Sequence, residues 1–312
     1  MAILRKTIPL FLVAGLCLAA TCERPVELDI DRPPDRLVVN GSFTPGQEVR
    51  VAVSRSQSIL DDDPPEYLAD ATVTLYEGNV LREELELFIE QNAARIPPYY
   101  VTKSFKPQAG ATYTIRVAAP GFQTVEAHSF IPEPVPLTLL RASRLMESPG
   151  GSQYSRTFTY HVDLNFDDPP YEDNFYHLNI FQEIFDIALT ADGDTVINDR
   201  RLERLVLEPE DASIIRDAML GGLLLKNNPQ KDGYGFDVAV DIVPEFVALG
   251  HIYAELRTVS REYYLYYTTF SRQRNQSDGP FNDPIVIYNN VENGHGYFAG
   301  YNSVRDSVSL GF

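Results

Sequence analysis

The sequence predicts an all-β-dominated protein: an N-terminal immunoglobulin-like β-sandwich followed by a second, mainly β domain with helical insertions. Three observations lead there. Short runs of alternating apolar and polar residues recur from Leu37 onward, 22 prolines and 19 glycines among 312 residues punctuate them, and only two stretches carry helical caps. Alternation with period two marks half-buried strands. The length lies just past the size at which single cores usually split, so two domains are expected.

The elements follow in chain order. Arg5 and Lys6 precede an apolar stretch from Ile8 to Ala20, the charged start and short apolar run of an export signal. That run falls short of the roughly 20 residues a bilayer-spanning helix needs. The segment Leu18-Ala19-Ala20-Thr21-Cys22 resembles a bacterial lipobox, in which small residues precede a cysteine that is diacylated and becomes the new N-terminus. Leucine stands one place early, and Thr21 replaces the usual small residue. Residues 1–21 are therefore expected to be a signal peptide and Cys22 the lipidation site, with Cys17 or an ordinary cleaved leader as alternatives. Acyl chains at about 0.8 kcal/mol per buried methylene anchor a protein without a spanning helix. Residues 22–35, with Glu23, Glu27, Asp29, Asp31 and Asp35 among three prolines, read as an extended acidic tether.

Residues 36–131 carry about seven strands, the number of an immunoglobulin-like sandwich. Val49, Val51 and Val53 alternate with Arg50 and Ala52; Ala71, Val73 and Leu75 alternate with Thr72 and Thr74; Tyr113, Ile115 and Val117 alternate with Thr114 and Arg116. Further strands are expected at Leu37–Phe43, Val80–Phe88, Tyr99–Phe105 and Phe122–Phe130, with a turn at Ala119-Pro120-Gly121. Residues 132–136 place three prolines at alternate positions, which helices and central strands do not tolerate, and mark the expected boundary. In residues 137–312, Phe158, Tyr160, Val162, Leu164 and Phe166 form one face of a long strand. A hairpin partner is expected at Asn174–Gln182, and strands at Tyr234–Val243 and His251–Val259. One helix is expected from Pro209 to Gly221-Gly222, with Glu210 and Asp211 at its positive end, and another from a Ser260 cap to about Arg274.

Composition excludes several functions. Lys plus Arg number 26 against 44 Asp plus Glu, a formal charge of −18, which repels nucleic-acid phosphates. Both cysteines, Cys17 and Cys22, lie in the leader region, leaving the body without disulfide, thiol nucleophile or Cys-ligated zinc. The five histidines, at 128, 161, 177, 251 and 295, are scattered, and no hydrolase, metalloprotease or phosphate-binding motif is present. No enzyme activity, metal or cofactor is expected. Asp61-Asp62-Asp63 and Asp167-Asp168 read as solvated loops; Asp192-Gly193-Asp194 offers oxygen ligands for calcium but lacks the spacing of an EF-hand. Four tyrosines crowd the second helix. Tyr263, Tyr267 and Phe270 share a face, while Tyr264 and Tyr266 lie off it, where an edge-exposed ring suits a protein interface or a sugar. Tyr264, Tyr266 and His295 are thus the candidate interaction residues.

Several longer motifs resemble a known family. Ser260-Arg261-Glu262-Tyr263-Tyr264, Pro280-Phe281-Asn282-Asp283-Pro284 and the run Asn289-Asn290-Val291-Glu292-Asn293-Gly294-His295-Gly296-Tyr297-Phe298 resemble the closing signature of the Bacteroidota lipoprotein family catalogued as domain of unknown function 4249. Phe166-Asp167-Asp168-Pro169 and Asp173-Asn174-Phe175-Tyr176 resemble that family's inter-strand loop. The resemblance implies a surface-exposed outer-membrane lipoprotein of a type often encoded beside TonB-dependent receptor-like barrels, with no established activity. The expected role is a non-enzymatic accessory or binding subunit of a β-barrel partner, lipid-anchored in the outer membrane; the alternative is a nutrient-capturing lipoprotein that binds glycan or peptide directly. In the closing run, Gly294 and Gly296 are expected to take positive φ, the asparagines to bond turn backbone, and Tyr297 and Phe298 to re-enter the core.

Overall fold

The computed structural model describes residues 34–58, 63–90, 96–169, 173–190, 192–209, 213–227, 233–276 and 285–310. The leader, Cys22, nearly all of the tether and the motif at 280–284 lie outside the described residues.

The first half contains β1 (Leu37–Phe43), β2 (Arg50–Arg55), β3 (Thr72–Glu77), β4 (Val80–Glu84), β5 (Glu86–Phe88), β6 (Tyr99–Val101), β7 (Thr112–Ala118) and β8 (Val125–Phe130). One sheet runs β4-β3-β7-β8, and β1-β2-β6-β5 form one end of a larger sheet. The alternation places Val39, Val51 and Val53 of one sheet against Val73, Leu75, Ile115 and Val117 of the other, in a shared buried core. A two-sheet sandwich results, because each strand offers one apolar face and only another sheet can cover it.

The second half contains β9 (Leu137–Pro149), β10 (Arg156–Phe166), β11 (Phe175–Leu189), β12 (Thr195–Arg204), β13 (Ile215–Arg216), β14 (Leu223–Lys226), β15 (Tyr234–Ile242), β16 (Val247–Val259), α1 (Arg261–Asn275) and β17 (His295–Val308). β10 pairs with β9 and β15, not with β11 as the expected hairpin partner. The segment between them crosses from one sheet to another. Asp168 accepts hydrogen bonds from the Tyr176 hydroxyl at 2.6 Å and from Asn174 Nδ2 at 3.1 Å. That clamp sets β10 and β11 face to face, so Phe158, Tyr160 and Val162 pack against Tyr176, Leu178 and Ile180 in one core.

The large sheet runs β13-β14-β11-β16-β17-β1-β2-β6-β5, with β12 also paired to β11. β17 joins the two halves. Its first residues pair parallel with β1, Val38 opposite His295 through Phe43 opposite Gly300, and its later residues pair antiparallel with β16. The expected boundary at 132–136 therefore does not divide the sheet, and residues 35–312 form one unit around separate cores. The proline segment is itself held: Ile131 is fully buried, Val135 N donates to Thr258 Oγ1 at 3.1 Å, and Asn302 Nδ2 donates to the Pro132 carbonyl at 3.2 Å.

Among the described residues there is one helix. α1 begins at Ser260, whose hydroxyl accepts from Tyr263 N at 3.3 Å, and carries Glu262 in its first turn and Arg272 and Arg274 in its last, which suits the helix dipole. The other expected helix, before Gly221-Gly222, is absent from residues 213–222. Ile215 pairs with Leu224, and two successive left-handed glycines, φ 72° and 81°, turn the chain back into β14. The carboxylates that suit a helix start were outweighed by sheet pairing and by burial of Ile214 and Leu223. No described helix is long and apolar enough to cross a membrane.

Candidate functional site

The closing run builds the joint between the halves. Asn289 Oδ1 accepts from Val291 N at 3.0 Å, and its Nδ2 donates to Gly294 O at 3.0 Å. Asn290 accepts from Phe298 N at 3.0 Å, donates to Phe298 O at 2.8 Å and reaches His128 O on β8 at 3.1 Å. Val291 and Phe298 then enter the first core, where Phe298 stacks on Phe43 at 4.3 Å. Positive φ falls on Asn293 (63°) and Gly296 (108°), not on Gly294. Gly294 is required for a different reason: a Cβ there would sit 2.7 Å from the Leu37 carbonyl oxygen and 2.9 Å from Val125 Cγ1. His295 is exposed at the start of β17. His295→Ala is therefore expected to shift stability by less than about 0.5 kcal/mol, checked by a urea melt.

Under α1 lies a buried polar cluster. His177 is fully buried; its Nε2 is 2.6 Å from Gly221 O and its Nδ1 is 2.9 Å from the Tyr263 hydroxyl. The tautomer that satisfies both is neutral, with the proton on Nε2 donated to the carbonyl and Nδ1 accepting from tyrosine. Burial drives the His177 pKa down to about 4, and it pushes the Asp217 carboxyl above the ordinary carboxylate value. Asp217 Oδ2 lies 3.7 Å from His177 Nε2, and Oδ1 accepts from Met219 N at 2.8 Å and lies 3.4 Å from Ser271 Oγ. Serine, histidine and aspartate thus gather, but Ser271 meets the aspartate and both histidine nitrogens are engaged within the fold. That arrangement lacks the nucleophile-to-base bond of acyl transfer. Its polar bonds seat α1 on β11 and the 217–221 turn.

Beyond α1 the same sheet face is open. Antiparallel pairing sets Arg204, Phe181, Tyr253 and Ser307 in one row across β12, β11, β16 and β17, and Asn179, Glu255 and Arg305 in the next. The Phe181 ring stands between two guanidinium groups, Arg204 at 5.3 Å and Arg305 at 5.7 Å from its centroid, a favourable placement against the ring quadrupole. Glu255, buried, accepts from Arg257 Nη2 at 3.1 Å and Ser303 Oγ at 2.9 Å, and lies 3.7 Å from Arg305. Glu183, only 3% exposed, accepts from His251 N at 2.9 Å, faces His251 Nδ1 at 3.1 Å and pairs with Arg200. Burial alone would raise the Glu183 pKa; these donors outweigh it and hold the carboxyl below its ordinary value. A β-bulge between Gln182 and Ile184 permits this approach, and Gly250 sits where a Cβ would be 2.6 Å from the Phe185 ring. The hollow there measures about 480 Å³ and also takes in Tyr253 and Ser309. Three arginines (200, 204, 305) against two glutamates (183, 255) leave this part of the face at +1 in a chain of −18, with Arg257 beside it in register with His177.

A second hollow of about 560 Å³ lies where the proline segment meets Pro169 and Asp173–Phe175, lined by Ile131, Pro132, Pro134, Pro169, Phe175 and Arg261 among others. Tyr264 stacks on Phe175 at 4.7 Å. Tyr266 stacks on Tyr297 at 4.0 Å, and burial pushes its hydroxyl pKa up to about 12. The two tyrosines are half-buried and pack on different strands, and His295 is exposed at the head of β17. Asp192-Gly193-Asp194 is the turn of the β11–β12 hairpin, closed by Thr190 N donating to Asp194 O at 2.8 Å. Among the described residues no three His, Cys, Asp or Glu side chains gather as a metal site. No local pattern marks the arginine face in the sequence, because its members come from four strands. One signal was present: in His251–Arg257 the residues alternating with Ile252, Ala254 and Leu256 are His, Tyr, Glu and Arg, large recognition groups where a plain solvated strand face carries Thr or Ser.

The family model described as "Domain of unknown function (DUF4249)" matches residues 23–307. No curated protein matches the chain.

Proposed function

The chain belongs to the DUF4249 family, and from that premise we propose that it is a lipid-anchored outer-membrane protein acting as a non-enzymatic accessory or binding subunit of a β-barrel partner. The observation that carries this reading is the division of the helix-side sheet face. Under α1 the reactive groups are buried and bonded to one another; beyond it, arginines and aromatic rings stand open, the residue types that dominate recognition surfaces. Anchoring rests on Cys22 and the short apolar leader. Cys22→Ala is expected to abolish labelled-palmitate incorporation and to release the chain from the membrane fraction or leave its leader uncut; continued labelling would overturn the anchor. Co-purification from gently solubilised outer membranes tests the subunit role. A barrel protein in stoichiometric yield supports it, and a monomer that retains a small ligand overturns it.

A second reading, direct capture of a glycan or peptide, is favoured by the hollow beside Phe175. Its wall of prolines and two aromatic rings, Phe130 and Phe175, with Arg261 at hand, has the mixed apolar and polar lining of a ligand site.

A further inference from the structure

We propose that the free edge of β12 is a strand-addition site for an extended acidic segment of a partner protein. This deepens the binding-subunit reading above and rests on it. β12 is ten residues long, every one of them exposed, and among the described residues it pairs with β11 alone. Exposed edges of this length are usually blunted by proline, by charged side chains, lysine above all, or by burial. β12 has no proline or lysine; it carries Val196, Ile197 and Leu202 as exposed apolar residues, and its charges, Asp199, Arg200, Arg201, Glu203 and Arg204, restrict the edge to a partner of complementary charge.

The backbone defines which groups are available. Leu205 N donates to Ile180 O at 2.8 Å. In an antiparallel ladder the residues one step away then turn their N–H and C=O outward, so Arg204, Leu202 and Arg200 face away from β11; Arg200 N donates to Asp199 Oδ1 at 2.7 Å, which leaves the Leu202 and Arg204 amides as the outward donors. Their side chains stand on the open face, in register with Phe181, Glu183 and Phe185. An added strand would therefore bond the β12 backbone while its own side chains lay beside this arginine row.

Charge selects the occupant. Arg204 donates to the Leu220 carbonyl and leans on Phe181, and among the described residues no carboxylate lies within 4 Å of it. A second copy is disfavoured, since antiparallel pairing of β12 with itself about Leu202 would set the outward-facing Arg200 opposite Arg204 on both sides of the seam. The chain's own acidic tether is also short for this edge. β1 begins level with His295, whereas Arg204 lies level with Ser307 and four strands across. That span is about 44 Å at 3.3 Å per residue and 4.8 Å per strand, which would consume the whole tether. A partner strand alternating apolar and acidic residues meets both the edge and the charge.

The test uses the full chain solubilised in detergent and a fluorescent peptide of four Val-Glu repeats. Saturable binding is expected, with at least tenfold weakening in Arg204→Glu and also in Leu202→Pro, which removes an outward N–H without touching a β11 ladder bond. Native circular dichroism confirms that each variant folds. Hydrogen exchange at the Leu202 and Arg204 amides should slow at least tenfold on binding. No binding, or binding indifferent to Leu202→Pro, overturns the proposal. Displacement of the peptide by polygalacturonate without amide protection overturns it in favour of an acidic-glycan surface. A concentration-dependent dimer that the peptide fails to dissolve overturns it in favour of self-pairing. A barrel that co-purifies while the peptide does not bind leaves the subunit role standing and removes only the β12 site.

Discussion

Gly296→Val is expected to lower the melting temperature by roughly 10 °C or more, the largest effect of any single substitution in the closing run. Gly296 sits at φ 108°, a region in which side-chain-bearing residues are strained by about 1–3 kcal/mol. A Cβ there would also overlap the Val39 carbonyl oxygen and lie 2.8 Å from Asn40 Oδ1. Val39 is the register partner of Gly296 in the parallel ladder that joins the halves, so the obstacle is backbone and relief requires β1 and β17 to part. Overpacking of this kind costs about 1–3 kcal/mol more. The sum is a large share of the 5–15 kcal/mol typical of a whole domain. Gly294→Val should also destabilise, by less, because it is crowded by Leu37 and Val125 without an unfavourable φ. A Gly296→Val protein that melts with the wild type would show that the joint does not hold the two halves together.

Acid is expected to remove about 3 kcal/mol of stability between pH 6.5 and pH 4 through one buried residue. His177 has its folded-state pKa lowered from 6.5 to about 4, chiefly by burial. In that window the unfolded chain binds a proton that the folded chain does not, so stability rises with pH: it is fully present above 6.5 and lost as the pH falls through 4. The physical event is the arrival of a charge between Tyr263 and Gly221, where Nδ1 can no longer accept the tyrosine hydroxyl. Asp217, with its pKa raised by burial, works in the opposite direction over a range beginning near its unfolded value, and Glu183, held low, adds acid lability only below its ordinary value. Urea melts across this range for wild type and His177→Gln check it. The variant should be less stable at neutral pH, having lost the fitted ring, and should show a much flatter slope from pH 6.5 to 5. Parallel slopes would exclude His177 as the titrating group.

Period-two alternation located most strands because it is a local property: β1 and β10 match their expected spans within two residues, and so does the capped helix at Ser260. Exposed and mixed strands escaped it. β12 buries neither face, so it carries no alternation at all, and β17 spends its length between two partners and two cores. In sequence the Gly221-Gly222 pair has the form of a helix end, but a left-handed glycine serves a hairpin equally well.

By itself the sequence determined the all-β character, the helix at residues 261–275, the acidic charge, the thiol-free body and the family. These depend on residue order along a few consecutive positions. Only the tertiary structure decided that β10 and β11 face each other, that β1 and β17 lie side by side across more than 250 residues of chain, and that Arg200, Arg204, Tyr253 and Arg305 share one open face. Those outcomes were set by which apolar faces could be covered together, a competition among whole sheets that no local pattern encodes.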